Sequence, residues 1–552
     1  MIGVIADPAE HTIVCEFFEL FKTPWEFYQS DRKYEVVVCP SDDNLKDVAT
    51  KVILIYSGRK LPIDTEKAIE IGSRGKRPFT LSYNALQIPI YGDSITFREE
   101  GGAVVDQGSH SLAVHVRQSG ERVVARIGYD LFGEIRLLLT AGQPSGNAAV
   151  PTLDLHIALL RDLIVGSGIS LVEIPPVPAG FQFIACLTHD IDHPSLRRHK
   201  FDHTMFGFLY RAILGSLFEV LRGRRSLRSL LTNWAAALKL PLVHLGLAKD
   251  FWHVFDDYAK LEGGLRSSFF LIPFKGRPGR MEHGSAPGRR AAPYGASEIA
   301  GHLRKLISTG CEFGLHGIDA WVDTPSGREE LEEIRQITGK QNIGVRMHWL
   351  YFDQESPVKL EKAGVDYDAT VGFNETIGYR AGTSQVYKPL AATRLLELPL
   401  HIMDTALFFP TYLDLSPREP SKRVDRIIDH AVQHGGTVTV NWHDRSIVPE
   451  RLWGDFYVNL VNELKNRGAW FSTGLQAVSW FRKRRSAVFE TVSNDSGTLR
   501  VTIGLNGNDD LPGLRLRIHR PGGAVQDTGI SAFGPNQTLE LRLENPISTC
   551  EL

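Results

Sequence analysis

The sequence predicts an α/β protein built round a distorted (β/α) barrel, with an α/β region ahead of it and a small β module behind. Three observations carry this. From Leu265 to Thr473 short strand-like runs alternate with helical ones, the pattern of a parallel sheet wrapped by helices. Acids and imidazoles recur just past those runs, where such a barrel places its catalytic groups. The 552 residues exceed what one core holds, and the texture changes at Ile174-Pro175-Pro176-Val177-Pro178-Ala179-Gly180 and again beyond Arg485.

A hydrophobic content of 43% with 23% charged residues describes an ordinary globular chain. The net charge of −2 argues against a dedicated nucleic-acid binder, whose footprint would be strongly basic. Cys15, Cys39, Cys186, Cys311 and Cys550 are odd in number and unpaired in spacing, which reads as reduced thiols. Asp7 and Glu10 come too early for a signal peptide, and no uncharged apolar run approaches the roughly 20 residues a spanning helix needs. A cytoplasmic location is the expectation, with a peripheral contact at the inner face of the membrane left open.

Residues 1–95 read as an α/β domain: Gly3–Ile5, Glu35–Cys39 and Lys51–Tyr56 are strand-like, and Cys15–Phe21 has helical apolar spacing. No glycine-rich phosphate loop follows these strands, so a structural or protein-binding role is expected. Residues 96–180 form a second part of this region, with strands at Ser111–Val116 and Val123–Tyr129 and a helix at Leu153–Ile164. The main domain boundary falls at the proline-rich linker.

The barrel is assigned to 181–485. Its first strand ends in Thr188-His189-Asp190-Ile191-Asp192-His193. A helical insertion over 199–249 follows. Between His203 and Lys239 Glu219 is the sole acid, against Arg211, Arg222, Arg224, Arg225, Arg228 and Lys239, interleaved with aromatic and aliphatic residues. The plainer reading is a lid that packs its apolar side on the barrel; the alternative is a basic amphipathic contact with an anionic membrane through 203–239. Further strands are predicted at Ser267–Ile272, Glu312–Leu315, Gly344–Met347, Asp366–Val371, Leu395–His401, Thr437–Trp442 and Ala469–Ser472. Helices are predicted at Ser297–Thr309, Arg328–Thr338, Val424–His434 and Leu452–Asn466. Residues 486–552 alternate in period two at Leu499–Ile503, Leu514–His519 and Thr538–Leu543, with turns at Asn506-Gly507-Asn508 and Pro521-Gly522-Gly523. That predicts a β-sandwich-like module packed on the barrel.

The strand ends supply His189, Asp190, Asp192 and His193, then His316 and Asp319, then Arg346 and His348, then His401 and Asp404, and last His443 and Asp444; Arg380 lies in a loop. One such histidine alone is usually a satisfied polar residue. Their recurrence at one end of several strands points to a metal-assisted site. A mixed carboxylate and imidazole shell suits zinc or another first-row divalent ion, which lowers the pKa of bound water to about 7. Of two adjacent carboxylates, one can bind the metal while the other takes a proton, and His443 on a distant strand is the natural general acid.

These residues resemble the motifs of the NodB-like polysaccharide deacetylases, a carbohydrate esterase family of (β/α) barrels. Thr188-His189-Asp190-Ile191-Asp192 is similar to a His-Asp-x-Asp variant of the family's first motif, and the large leading region is similar to what precedes barrels in a bacterial subgroup tied to surface-polysaccharide synthesis. The resemblance implies Asp190 as catalytic base and Asp192 as metal ligand. His316 matches the first histidine of the second motif, but the position four later is Ala320. Asp319 is taken as the third ligand, with Asp323, His189, His193 or water as the alternatives. Arg346-Met347-His348-Trp349 resembles the third motif and implies that Arg346 orients the base. Thr437–Asp444 resembles the last and implies His443 as catalytic acid. His189, Trp349, Arg380, His401 and Asp404 are expected to contact substrate.

The expected function is metal-dependent removal of an N-acetyl group from a sugar, with zinc, cobalt or manganese as the ion. The saccharide could be lipid-linked, and no nucleic-acid partner is expected. The alternatives are a silent glycan-binding relative, an O-acetyl esterase or other amide hydrolase on the same site, and a membrane-recruited scaffold. The oligomeric state is not legible.

Overall fold

A computed structural model describes residues 1–552 except 43–44, 46–47, 75–78, 85, 99–103, 108–110, 121, 420, 492–497, 504–509, 531–536 and 543–552. The turn Asn506-Gly507-Asn508, residue Leu543 and Cys550 lie outside the described residues. The chain divides into two compact units. One comprises 1–180, 381–383 and 480–552; the other comprises 181–380 and 384–479.

The second unit is organised on a curled parallel sheet. Its strands run, in spatial order, Leu396–Glu397, Tyr367–Asp368, Val345–Met347, Glu312–Gly317, Ser268–Leu271, Phe183–Ile191, Thr437–Asn441 and Ile402–Met403. Ala469–Ser472 also pairs with the first half of Phe183–Ile191. Every residue of that central strand is buried, as a strand covered on both faces requires. The predicted strand Leu395–His401 is instead two short pairings on either side of Pro399, which has no N–H to give a ladder. One end of this segment pairs with Tyr367–Asp368 and the other with Thr437–Asn441, so both edges of the sheet meet in it.

The helices follow their sequence signals closely. Thr324–Thr338 is capped by the Asp323 carboxylate, which accepts from the Ser326 N–H, and it stops at Gly339 with φ 67°. Lys422–His434 buries Val424, Ile427, Ile428 and Ala431 on one face. The insertion forms a helical run from His203 to Leu221, with a π-turn at Arg211–Gly215, and a second helix at Leu227–His244.

In the other unit a six-stranded sheet orders Val114–Ser119, Arg122–Ile127, Val52–Tyr56, Val36–Cys39, Ile2–Val4 and Trp25–Phe27. All neighbours are parallel except the first pair. Arg122–Ile127 thus pairs with Val52–Tyr56, so one sheet spans the division expected near residue 95. Leu514–His519 pairs with Leu171–Glu173. Leu514–His519 thus joins a strand of the N-terminal region, while Ala487–Thr491, Thr498–Ile503 and Gln537–Arg542 form an antiparallel sheet of their own. Among the described residues, Cys15, Cys39, Cys186 and Cys311 form no disulfide.

Candidate active site

Strand alternation assembles the site. Thr188, Asp190 and Asp192 point one way from the central strand and His189 points the other, because successive side chains face opposite sides. Asp192 meets His316 from Glu312–Gly317 and His348, which follows Val345–Met347. Its Oδ1 lies 3.4 Å from His316 Nε2 and 3.5 Å from His348 Nε2. The three residues form a cluster able to hold a metal ion. Tetrahedral bonds of about 2.1 Å separate donors by about 3.4 Å, so the spacing fits a first-row divalent ion. Asp192 Oδ1 is buried without a hydrogen-bond partner, as an oxygen reserved for a cation would be.

The surroundings set each group's state. His316 Nδ1 donates to the Arg346 carbonyl at 2.9 Å, which leaves Nε2 free to coordinate. Burial pushes His348 down to about 3, so it is the neutral imidazole that coordination needs. Burial works to raise the Asp192 carboxyl, but His348, His316 and His443 outweigh it and hold it well below the carboxylate range. His348 lies at the head of a strained turn in which Trp349 and Leu350 both have positive φ, 66° and 54°.

Asp190 sits beside this cluster, its Oδ2 3.8 Å from His316 Nε2. Arg346 Nη1 donates to its Oδ1 at 3.1 Å and to Thr188 Oγ1 at 2.7 Å, while Asn441 Nδ2 donates to Oδ2 at 2.7 Å. Burial favours the protonated acid, but His316, Arg346 and His443 together keep it ionised. Arg346 is itself fixed by the Ala369 carbonyl and by the Phe270 ring, 4.6 Å from its guanidinium carbon.

His443 Nε2 reaches within 4.0 Å of Asp192 Oδ2. Its Nδ1 is 2.6 Å from Asp404 Oδ1, and its backbone N–H donates to Asp404 Oδ2 at 2.7 Å. Burial disfavours the imidazolium, yet Asp404, Asp192 and Asp190 raise it to about 9. The neighbouring Asp444 accepts from the His193 N–H, and burial pushes its carboxyl up to about 7.

Several expected roles need correction. Asp319 is outside the cluster: its carboxylate accepts from the Arg280 N–H at 2.7 Å. Asp323 is occupied as a helix cap, and His193 Nδ1 faces His199 Nε2 at 3.1 Å. His189 is fully buried on the opposite face, between the Trp442 carbonyl and Glu262 at 2.8 Å each, so it cannot touch substrate. His401 is buried, with Nδ1 accepting from the Thr439 N–H. Asp404 is fully buried and holds His443 instead of lining a groove. Arg380 donates to the Gly372 carbonyl and stacks near Phe352. Trp349 is half-buried beside His348, with the Arg289 guanidinium carbon 5.7 Å from its ring. Sequence reasoning put His348 among the strand-end residues but took Asp319 in its place as a ligand, and it missed Asn441 as a partner of Asp190. The signal was the two-residue spacing of Arg346 to His348 and of Asn441 to His443, which places each pair on one strand face.

No protein-family model matches this chain, and no curated protein sequence does. Among solved structures, a protein of Mycobacterium smegmatis described as a polysaccharide deacetylase aligns at 17% identity and a TM-score of 0.32, over 56% of this chain and 95% of its own. A PuuE allantoinase aligns at 13% identity and a TM-score of 0.33, over 56% and 93%. A protein of Pseudomonas aeruginosa PAO1 described as a polysaccharide deacetylase aligns at 12% identity and a TM-score of 0.35, over 56% and 94%.

Proposed function

We propose that this protein is a metal-dependent hydrolase that removes an acetyl group from an amide nitrogen on a saccharide. The observation that carries the reading is the Asp192–His316–His348 cluster at metal-ligand spacing, with a fixed carboxylate on one side and a charged imidazole on the other. Zinc, or cobalt or manganese in its place, would be held by those three residues and would supply Lewis-acid activation of water and of the acyl oxygen.

The chain's own residues divide the proton traffic. Asp190, ionised and aimed by Arg346 and Asn441, accepts the proton of the attacking water. His443, charged at neutral pH and locked by Asp404, donates a proton to the departing amine nitrogen. The amine is a poor leaving group until protonated, so an imidazolium placed across the site from the base meets the need of the reaction. The Trp349 ring offers an apolar face beside these donors, which suits one side of a sugar.

The choice of an N-acetylated sugar rests on the motif resemblance. His348 supports this reading over a silent glycan binder, because it offers an imidazole to the cluster that Ala320 does not. Acetate release from a panel of N-acetylated and O-acetylated saccharides, with zinc, cobalt or manganese supplied, tests the proposal. Asp190→Asn is expected to bind metal stoichiometrically and lose turnover by at least 100-fold (order of magnitude for a general base). Undiminished acetate release from that variant would remove Asp190 as the base, and ester-only hydrolysis would change the bond.

A further inference from the structure

The insertion leaves an apolar surface that the domain core does not use. On its first helical run Phe206, Tyr210, Leu214, Phe218 and Leu221 recur every three or four residues and are all exposed. On the second helix Leu227, Leu231, Trp234, Leu238, Leu242 and Leu245 do the same, with Leu238 81% and Leu245 72% exposed. Scattered exposed leucines are ordinary; two aligned stripes on adjoining helices are not. The helices are tied together where Trp234 Nε1 donates to the Ile213 carbonyl and Asn233 Nδ2 to Ser216 Oγ.

The opposite sides of these helices are buried. Met205, Phe208 and Ala212 on the first run, and Ala236 and Leu240 on the second, join the core of the barrel unit. The run His203–Leu221 has 19 residues and a stretch of mean hydropathy 1.4, enough by length and composition to cross a membrane. A helix with one side packed into its own domain cannot do that. It can only lie flat.

Charge selects what covers the exposed face. Residues 200–249 hold eight lysines and arginines against Asp202 and Glu219, in a chain whose net charge is −2. Arg224 pairs with Asp414 and Arg211 with Glu450. Arg228 and Lys239, within the apolar stripe of the second helix, have no carboxylate partner among the described residues. Exposed leucines and aromatics flanked by basic side chains are the make-up of a helix that rests in an anionic lipid interface. A symmetric dimer through the same face would set two basic rims against each other.

We propose that the helical hairpin 203–245 docks the protein on an anionic lipid surface, its two stripes inserted among the acyl chains and its basic residues at the headgroups. The hairpin is rooted beside the candidate active site. His193, next to Asp192, contacts His199, whose Nδ1 is 2.6 Å from Asp202, the carboxylate that caps the first helix. Docking therefore holds the site close to the lipid surface, whatever reaction it performs.

Co-sedimentation of the full chain with phosphatidylglycerol–phosphatidylcholine vesicles, against pure phosphatidylcholine vesicles, tests this without any activity measurement. Binding to the anionic vesicles is expected, weakening as salt rises. Arg228→Gln and Lys239→Gln should each lower it about fivefold. Leu231→Ser with Leu238→Ser should lower it roughly tenfold or more, with unchanged circular dichroism because both side chains are exposed. Absence of anionic-vesicle binding at low salt would overturn the proposal, as would binding undiminished in the leucine variant. A dimer dissolved by that variant, with no vesicle binding, would make a second copy the occupant instead.

Discussion

Asp404 changes what His443 can do. A free imidazole titrates near 6.5 and would be neutral for most of its working life at pH 7; with Asp404 against Nδ1 and the site carboxylates nearby it is charged up to about 9. Because the folded value is raised, the stabilisation from protonated His443 is complete below 6.5 and lost as pH rises through about 9. As the general acid, His443 should impose an alkaline limb on kcat/KM, set by its own deprotonation. Asp404→Asn is expected to move that limb to lower pH and to reduce kcat by roughly 10²–10⁴-fold; a pH–rate profile with the limb unmoved would break the link between the two residues. A second expectation separates His348 from Asp319. His348→Ala should lose stoichiometric zinc by elemental analysis, and Asp319→Ala should keep it. The sequence made Asp190, Asp192, His316 and His443 legible because each ends an apolar run. It did not disclose Asp404's role, since nothing local says that its carboxylate turns towards a histidine 39 positions later.

At the scale of the strand, period two does most of the sorting. It sets Asp190 and Asp192 on the site face and hands His189 to Glu262, which also accepts from the Tyr457 hydroxyl, behind the sheet. Arg346 and His348 share a face for the same reason, so the His348 assignment was available in the sequence once strand direction was applied. Neighbouring strands must also leave room. Gly314 stands in register with Phe270, and a Cβ there would fall 2.7 Å from the Phe270 ring and 2.9 Å from the Gly344 carbonyl oxygen. That ring underlies Arg346, which aims Asp190. Gly314→Ala is therefore expected to cost about 1–3 kcal/mol in urea unfolding and to lower turnover with it; full stability and full turnover would show that the ring has slack. Helices such as Lys422–His434 and the strand Ala469–Ser472 were legible from spacing alone. The broken segment Leu396–Met403 was less so, because Pro399 lies within a run that otherwise looks like one strand.

At the scale of the molecule, the chain does not lay its domains down one after another. Both ends of the sequence enter one unit, which the texture changes at 95, 180 and 485 could not reveal because the contacts that join the ends are among the longest in the chain. Leu171–Glu173 pairs with Leu514–His519. Arg484 donates to the carbonyls of Glu19, Leu20 and Ile174. Arg485 grips the Glu16 carboxylate with two bonds of 3.0 and 2.7 Å across 469 positions. Glu16 is 1% exposed, so these two bonds are made away from water. Arg485→Ala should strip a buried carboxylate of both these bonds and lower the stability of this unit by about 3 kcal/mol, read from the urea midpoint of a spectroscopic transition. Replacing both residues, as Glu16→Gln with Arg485→Met, should recover most of the loss, since a neutral pair buries no uncompensated charge. A single variant as stable as the wild type would show that the two chain ends are held without this ion pair, by the strand pairing and the Arg484 bonds. A double variant no better than the single one would place the loss in the packing of the arginine stem rather than in its charge.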